Sequence, residues 1–186
     1  MASLKSTKSS SGFTLIEMVI VIMVVAIFGA LTADMLANAV EVYSNSLKRQ
    51  RFISEARSTF FKINREASWQ KNFSAFSGSN NKKLNIFSVD GKNINYEIKN
   101  TNNIIQNNNQ VPGSNDEVLS NKIDYSNSTI YYLNHQGNGI DIASQLEDVK
   151  SLKFDFQFSI EGESIRLQSQ TLPYNLHIGR AMSYHE

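Results

Sequence analysis

The chain has 186 residues and a formal net charge of +1 at pH 7, with no cysteine. That length suits one modest domain plus an appendage. The near-balanced charge supplies no global field to gather nucleic acid or an acidic substrate. Without cysteine there is no disulfide, no thiolate nucleophile and no cysteine-ligated zinc, although the compartment stays open because extracytoplasmic proteins need not carry disulfides.

Residues 1–12 are short, polar and basic, with Lys5 and Lys8 and no acid. Phe13 then opens an apolar run that continues to Ala33, and Glu17 is its one charged residue. A run of about 20 apolar residues crosses a bilayer. Lys5 and Lys8 precede this span and no Lys or Arg follows until Lys48. The positive-inside rule therefore places the N-terminus in the cytoplasm and the bulk of the chain outside the inner membrane.

Beyond the span, Leu36, Val40, Tyr43 and Leu47 recur at helical spacing, as do Ile53, Ala56, Phe60, Ile63 and Ala67. Lys48, Arg49, Arg51, Glu55, Arg57, Lys62 and Arg65 fall mostly on the other side. This amphipathic pattern, with no Pro before Pro112 and no Gly between Gly29 and Gly78, predicts one helix from Thr14 to Trp69. Ile53 onward is expected to pack on the chain's own sheet. Leu36, Val40 and Tyr43 form an apolar stripe that needs a partner outside the domain.

Past Ser68 short β-like runs take over. Leu84–Val89 and Ile94–Ile98 flank Asp90-Gly91, a hairpin signal. The Asn- and Gln-rich residues 100–117, with Pro112-Gly113, read as a loop. Ile130–Leu133 is a predicted strand and His135–Gly139 a turn. Leu152, Phe154, Phe156 and Phe158 alternate with Lys153, Asp155 and Gln157, the clearest half-buried strand. Gly162 turns it into Ile165 and Leu167, and a last strand is expected at Tyr174–Ile178. The reading is α+β: a long N-terminal helix, membrane-spanning in its first half and amphipathic in its second, packed on a C-terminal antiparallel β-sheet domain. Its divisions are a leader (1–12), the span (13–34), the amphipathic half (35–69) and an extracytoplasmic β-rich domain (70–186).

The junction Gly12-Phe13-Thr14-Leu15-Ile16-Glu17, set between basic leader and apolar run, resembles the type IV pilin signature over residues 5–35. The resemblance implies that prepilin peptidase, a membrane aspartyl peptidase, cuts after Gly12 and that Phe13 becomes an N-methylated N-terminus. An ordinary secretory signal is cut after its apolar run; here the cut precedes it and the helix is retained. Glycine at the cut allows close approach to the backbone. The resemblance also implies that Glu17 neutralises the free amine of a neighbouring subunit, here that of Phe13. The bare physical alternative is that Glu17 snorkels to the cytoplasmic face. The implied partners are other pilin or pseudopilin subunits, an inner-membrane assembly platform and membrane lipid, ending in a filament in the periplasm or at the cell surface.

Leu146, Val149, Leu152, Phe154 and Phe156, followed by a hairpin, resemble the J-type minor pseudopilins of type II secretion and minor pilins of the MSHA type. The chain departs from a major pilin in lacking a C-terminal cysteine pair and a Pro partway along the span, where Asp34 stands. It departs from the K-type tip subunit in keeping the acid at Glu17. The resemblance implies a minor subunit that initiates or caps a filament. From a different class, a single-pass membrane adhesin or sensor that never polymerises fits the same span.

No enzyme motif, nucleotide loop or cofactor signature is present, so no catalytic role is expected. His135, His177 and His185 lack a second ligand at helical spacing, which speaks against zinc. Asn134, Asn138 and Asp141 offer hard oxygens to calcium, but without EF-hand spacing. Glu161 and Glu163 flank Gly162 as a solvated turn. Tyr131 and Tyr132 have no basic patch beside them, so nucleic-acid binding is not indicated.

Replacing Gly12 by Val should block the cut, because a branched side chain obstructs the approach to the scissile bond. Electrophoresis of membrane fractions should show only full-length precursor; a normally shortened chain would show that Gly12 does not mark the cut.

Overall fold

The computed structural model describes residues 12–108 and 116–174. Helix α1 covers Leu15–Ser68 without a break. It is followed by β1 (Lys83–Phe87), β2 (Asn93–Lys99), β3 (Asn103–Asn108), β4 (Glu117–Ser120), β5 (Thr129–Leu133), β6 (Ser151–Ile160) and β7 (Glu163–Thr171). The strands form two antiparallel sheets, one in the order β1-β2-β3-β4 and one in the order β5-β6-β7. The chain divides into two compact units, Met1–Arg49 and Gln50–Glu186.

In the first unit the described helical residues are exposed almost throughout, from Leu15 and Ile16 to Val40 and Tyr43. In the second, α1 buries Phe52, Ala56, Thr59, Phe60, Ile63 and Ala67, one stripe at three- and four-residue spacing. The stripe packs into a single core with Leu84, Ile86 and Tyr96 of the first sheet and Leu152, Phe154, Phe156 and Phe158 of the second. Phe60 meets Phe156 edge-to-face at 5.8 Å. The stripe runs through Phe52 rather than Ile53, which is only half-buried: Ile53 lies at the stripe's margin, one residue off its centre line.

The two sheets are stitched by main-chain and lysine contacts. The Ile130 N–H donates to the Asn81 carbonyl at 2.9 Å, and Ile123 bridges to Phe158. Lys82 reaches inward, its Nζ donating to the carbonyls of Tyr125 and Ser128. Burial pulls this ammonium below the ordinary lysine value, against the pull of nearby Asp124.

Residues 100–117 were expected as a loop, but the structure places β3 within them and starts β4 at Glu117. Ile104 and Ile105 supply the burial while Asn103, Gln106 and Asn107 lie on partly open positions. The amide-rich composition therefore hides a strand paired on both sides. Asn102 makes the entering turn with φ 60, a left-handed conformation asparagine tolerates. The Pro112-Gly113 turn lies outside the described residues, as does the expected final strand except for Tyr174.

At the β6–β7 hairpin, Glu161 (φ 47) and Gly162 (φ 87) form the two-residue connection between Ile160 and Glu163, as a left-handed turn pair requires. Asp155, expected on the polar side of β6, does point away from the aromatic row, yet is only 5 % exposed. Arg166 covers it with a two-pronged contact at 2.7 and 2.6 Å, and Gln168 donates to it at 2.9 Å. Those bonds, chiefly from Arg166, hold its carboxyl below the ordinary aspartate value.

Truncating Phe60 to Ala should destabilise the second unit by about 3–5 kcal/mol, whereas Phe61→Ala should change little, because Phe61 is 64 % exposed. Chemical denaturation of a fragment starting near Val42 measures both; equal effects would mean that the stripe is misplaced. For Asp155 the folded pKa is depressed, so its stabilisation is complete above the unfolded carboxylate range and fades as pH falls through the folded value. Asp155→Asn should be less stable at neutral pH and should lose less stability on acidification than the natural chain.

Candidate functional site

The start of α1 is a reciprocal cap. Thr14 precedes the helix, and its carbonyl accepts the first helical bond, from the Met18 N–H, at 3.3 Å. Glu17 stands three residues after Thr14. Its Oε2 accepts the Thr14 N–H at 2.8 Å and the Thr14 hydroxyl at 2.9 Å, while the Glu17 N–H donates to the Thr14 Oγ1 at 3.4 Å. This is a capping box. It satisfies N–H groups that a helix start leaves open and sets a carboxylate at the positive end of the helix dipole. The Thr-x-x-Glu spacing before an apolar run was available in the sequence, but Glu17 was read there only through its charge; Thr14 is the site residue that reading missed.

One carboxylate oxygen, Oε2, takes both bonds from Thr14. No hydrogen bond or ion pair reaches Oε1 among the described residues. Phe13 is 78 % exposed and lies beside the cap in sequence. A Cβ built on Gly12 meets nothing within 4 Å, so a need for glycine there does not arise from the chain's own packing. Lys5 and Lys8 lie outside the described residues.

The oxygen-rich loop considered for calcium is occupied internally. Asn134 Oδ1 accepts the N–H groups of Gln136 and Asn138 at 2.9 and 3.0 Å, and Asp141 Oδ1 accepts that of Ala143 at 3.1 Å. These are turn-closing bonds. No group of three or more His, Asp or Glu side chains is placed to hold a metal among the described residues. His177 and His185 lie outside them.

A long helix, apolar and exposed at its start, capped by its own carboxylate and followed by antiparallel sheets, fits a membrane-anchored protein. By length and composition α1 can cross a membrane. The prokaryotic N-terminal methylation motif matches residues 7–33, which take in Gly12, Phe13, Thr14 and Glu17. The chain is therefore type IV pilin-like, with the long helix and α+β layout of that family. The motif implies processing by prepilin peptidase and assembly with other pilin subunits. No curated protein and no solved structure matches the chain.

Thr14→Ala should remove the hydroxyl half of the cap, worth about 1 kcal/mol at a helix start. Hydrogen exchange of the full chain in detergent micelles should then speed up at Leu15–Glu17 and stay unchanged from Ile27 onward. Unaltered protection at the start would show that the hydroxyl does not hold it.

Proposed function

We propose that this chain is a minor pilin or pseudopilin that helps to initiate or cap a type IV pilus-like or type II secretion filament. Prepilin peptidase cuts it after Gly12 at the cytoplasmic face of the inner membrane, Phe13 becomes the methylated N-terminus, and the second unit stands in the periplasm. Membrane lipid holds the helix until an assembly platform passes it to neighbouring subunits.

The observation that carries this reading is the half-used carboxylate of Glu17 inside the methylation motif. After the cut, the amine of Phe13 is a cation at the tip of an apolar helix. A carboxylate in the bilayer costs about 2.5–3.5 kcal/mol near the centre and less toward the interface. Buried charges are tolerated when paired. Glu17 Oε2 is committed to Thr14, which orients the carboxylate and leaves Oε1 for the ammonium of an adjacent subunit's N-terminus. Out-of-register neighbours leave both charges unpaired, so the pair acts as a gauge of stacking. The minor role is supported by the likeness of Leu146, Val149, Leu152, Phe154 and Phe156 to J-type and MSHA-type subunits.

Glu17→Ala should insert and be cut normally, since the helix only becomes more apolar, but should fail to enter filaments. A broken buried pair costs roughly 3–5 kcal/mol. Shearing and immunoblotting measure the filament fraction against the membrane fraction. Normal incorporation would leave Glu17 as a cap and snorkelling residue with no part in assembly. A chain that reaches the membrane processed, yet joins no filament even unmutated, would favour a single-pass adhesin or sensor.

A further inference from the structure

The second unit carries a cleft along the edge of β5 that β6 leaves open. It measures about 410 Å³, within the range of small-ligand sites, about 300–1,000 Å³. Main-chain bonds fix both of its walls to that edge. On one side the Asn81 carbonyl accepts from the Ile130 N–H at 2.9 Å. On the other the Ile140 N–H donates to the Tyr132 carbonyl at 2.9 Å, and Gly139 bridges to Leu133. The Tyr132 phenol ties the first wall again through the Asn80 and Lys83 carbonyls, at 3.2 and 3.0 Å. Ile130, Tyr132 and Ile142 give the lining a buried apolar part. A site held in this way needs little ordering when a ligand arrives.

The polar part of the lining is almost uncharged. No Lys or Arg belongs to it, and its one acid is Asp141, whose oxygens already accept from the Ala143 N–H at 3.1 Å and the Ser144 hydroxyl at 3.3 Å. Asn80 Oδ1 accepts from the Lys82 N–H at 2.8 Å. No hydrogen bond among the described residues reaches Asn80 Nδ2, the Asn81 carboxamide, the Thr129 hydroxyl or the Tyr131 phenol. The Tyr131 ring is 43 % exposed. Lys153 stands outside the lining, its Nζ 5.9 Å from the centre of that ring. Carboxamides and hydroxyls both donate and accept, as every sugar hydroxyl does, and the negative face of an aromatic ring suits the polarised C–H groups of a pyranose. An anion would meet Asp141 with no cation in the lining to offset it. A peptide strand has no place on this edge of β5, because Asn81 and Ile140 already occupy its outward main-chain groups. We propose that the cleft binds a neutral saccharide, with Tyr131 as the stacking platform and Asn81 and Thr129 as partners of its hydroxyls. The site is independent of the filament reading and stands whether or not the chain polymerises.

The test uses the full-length chain in micelles of a detergent with no sugar headgroup, such as a phosphocholine. The probes are neutral methyl glycosides of hexoses and N-acetylhexosamines and their disaccharides. Saturation-transfer NMR reads contact at each ring proton, and amide spectra of the protein locate the site. At least one probe is expected to receive saturation on its ring C–H groups and to shift the side-chain amide signal of Asn81. Tyr131→Ala and Asn81→Ala should each weaken binding about tenfold. Tyr131→Phe should keep most of it, because the ring remains. Trp69→Ala, at an exposed aromatic residue elsewhere in the unit, should change nothing. Asn81 and Tyr131 are exposed, so the variants should fold, and unchanged amide spectra away from the cleft verify this. Saturation of no neutral glycoside, undiminished binding by both Tyr131→Ala and Asn81→Ala, or preference for an acidic sugar or a peptide would overturn the proposal.

Discussion

A helix that must satisfy two media with one backbone is the constraint behind this chain. Across 54 residues α1 keeps an unbroken hydrogen-bond ladder, helped by the absence of Pro throughout the helix and of Gly after Gly29. Its side chains change pattern along the way. Through the apolar run to Ala33 they are apolar on nearly every side and exposed, which suits lipid or other helices and leaves nothing for a core to hold. From Phe52 onward a single stripe is buried and the remaining faces are mostly polar or charged, with Phe61 an exposed exception. Both sheets close on that stripe, so the fold of the second unit depends on the helix continuing past the apolar run.

The same economy applies at the N-terminal end. A helix entering lipid with open N–H groups and a charged side chain faces two desolvation costs. The Thr14–Glu17 box meets the first within the chain; in the proposed reading, the second is met when the remaining carboxylate oxygen pairs with a neighbour's ammonium. Charge and cap are thus properties of one residue pair. In the second unit, inward-turned acids serve the fold: Glu55, Glu66 and Asp155 each meet a donor from another element. The withdrawal of Glu55 and Glu66 leaves the outer face of α1 with Arg51, Arg57 and Arg65 as its charged residues.

Much of this was legible in the sequence because it rests on periodicity. The apolar run, the amphipathic half of α1 and the Leu152–Phe158 alternation each repeat often enough to be read. Where the signal was one or two residues, it was lost. β3 has only Ile104 and Ile105 among amides, so composition outweighed pattern, and its membership of a sheet depends on partners distant in the chain. The stripe's passage through Phe52 instead of Ile53 depends on how the helix meets the sheets, which spacing alone does not set. Asp155 looked solvated because the sequence does not show that Arg166 lies across from its neighbour in register. At the N-terminus the acid is legible by its charge, whereas the hydroxyl three residues before it becomes a cap only once the helix start is fixed at Leu15.

The account depends most on where the mature chain begins. Intact-mass and N-terminal peptide mass spectrometry of the natural protein, purified from membranes of cells with prepilin peptidase, reads this directly. The account predicts a chain starting at Phe13 and carrying one added methyl group on its amine. A chain that still begins at Met1, or one that begins beyond Ala33 with the apolar helix removed, would contradict it.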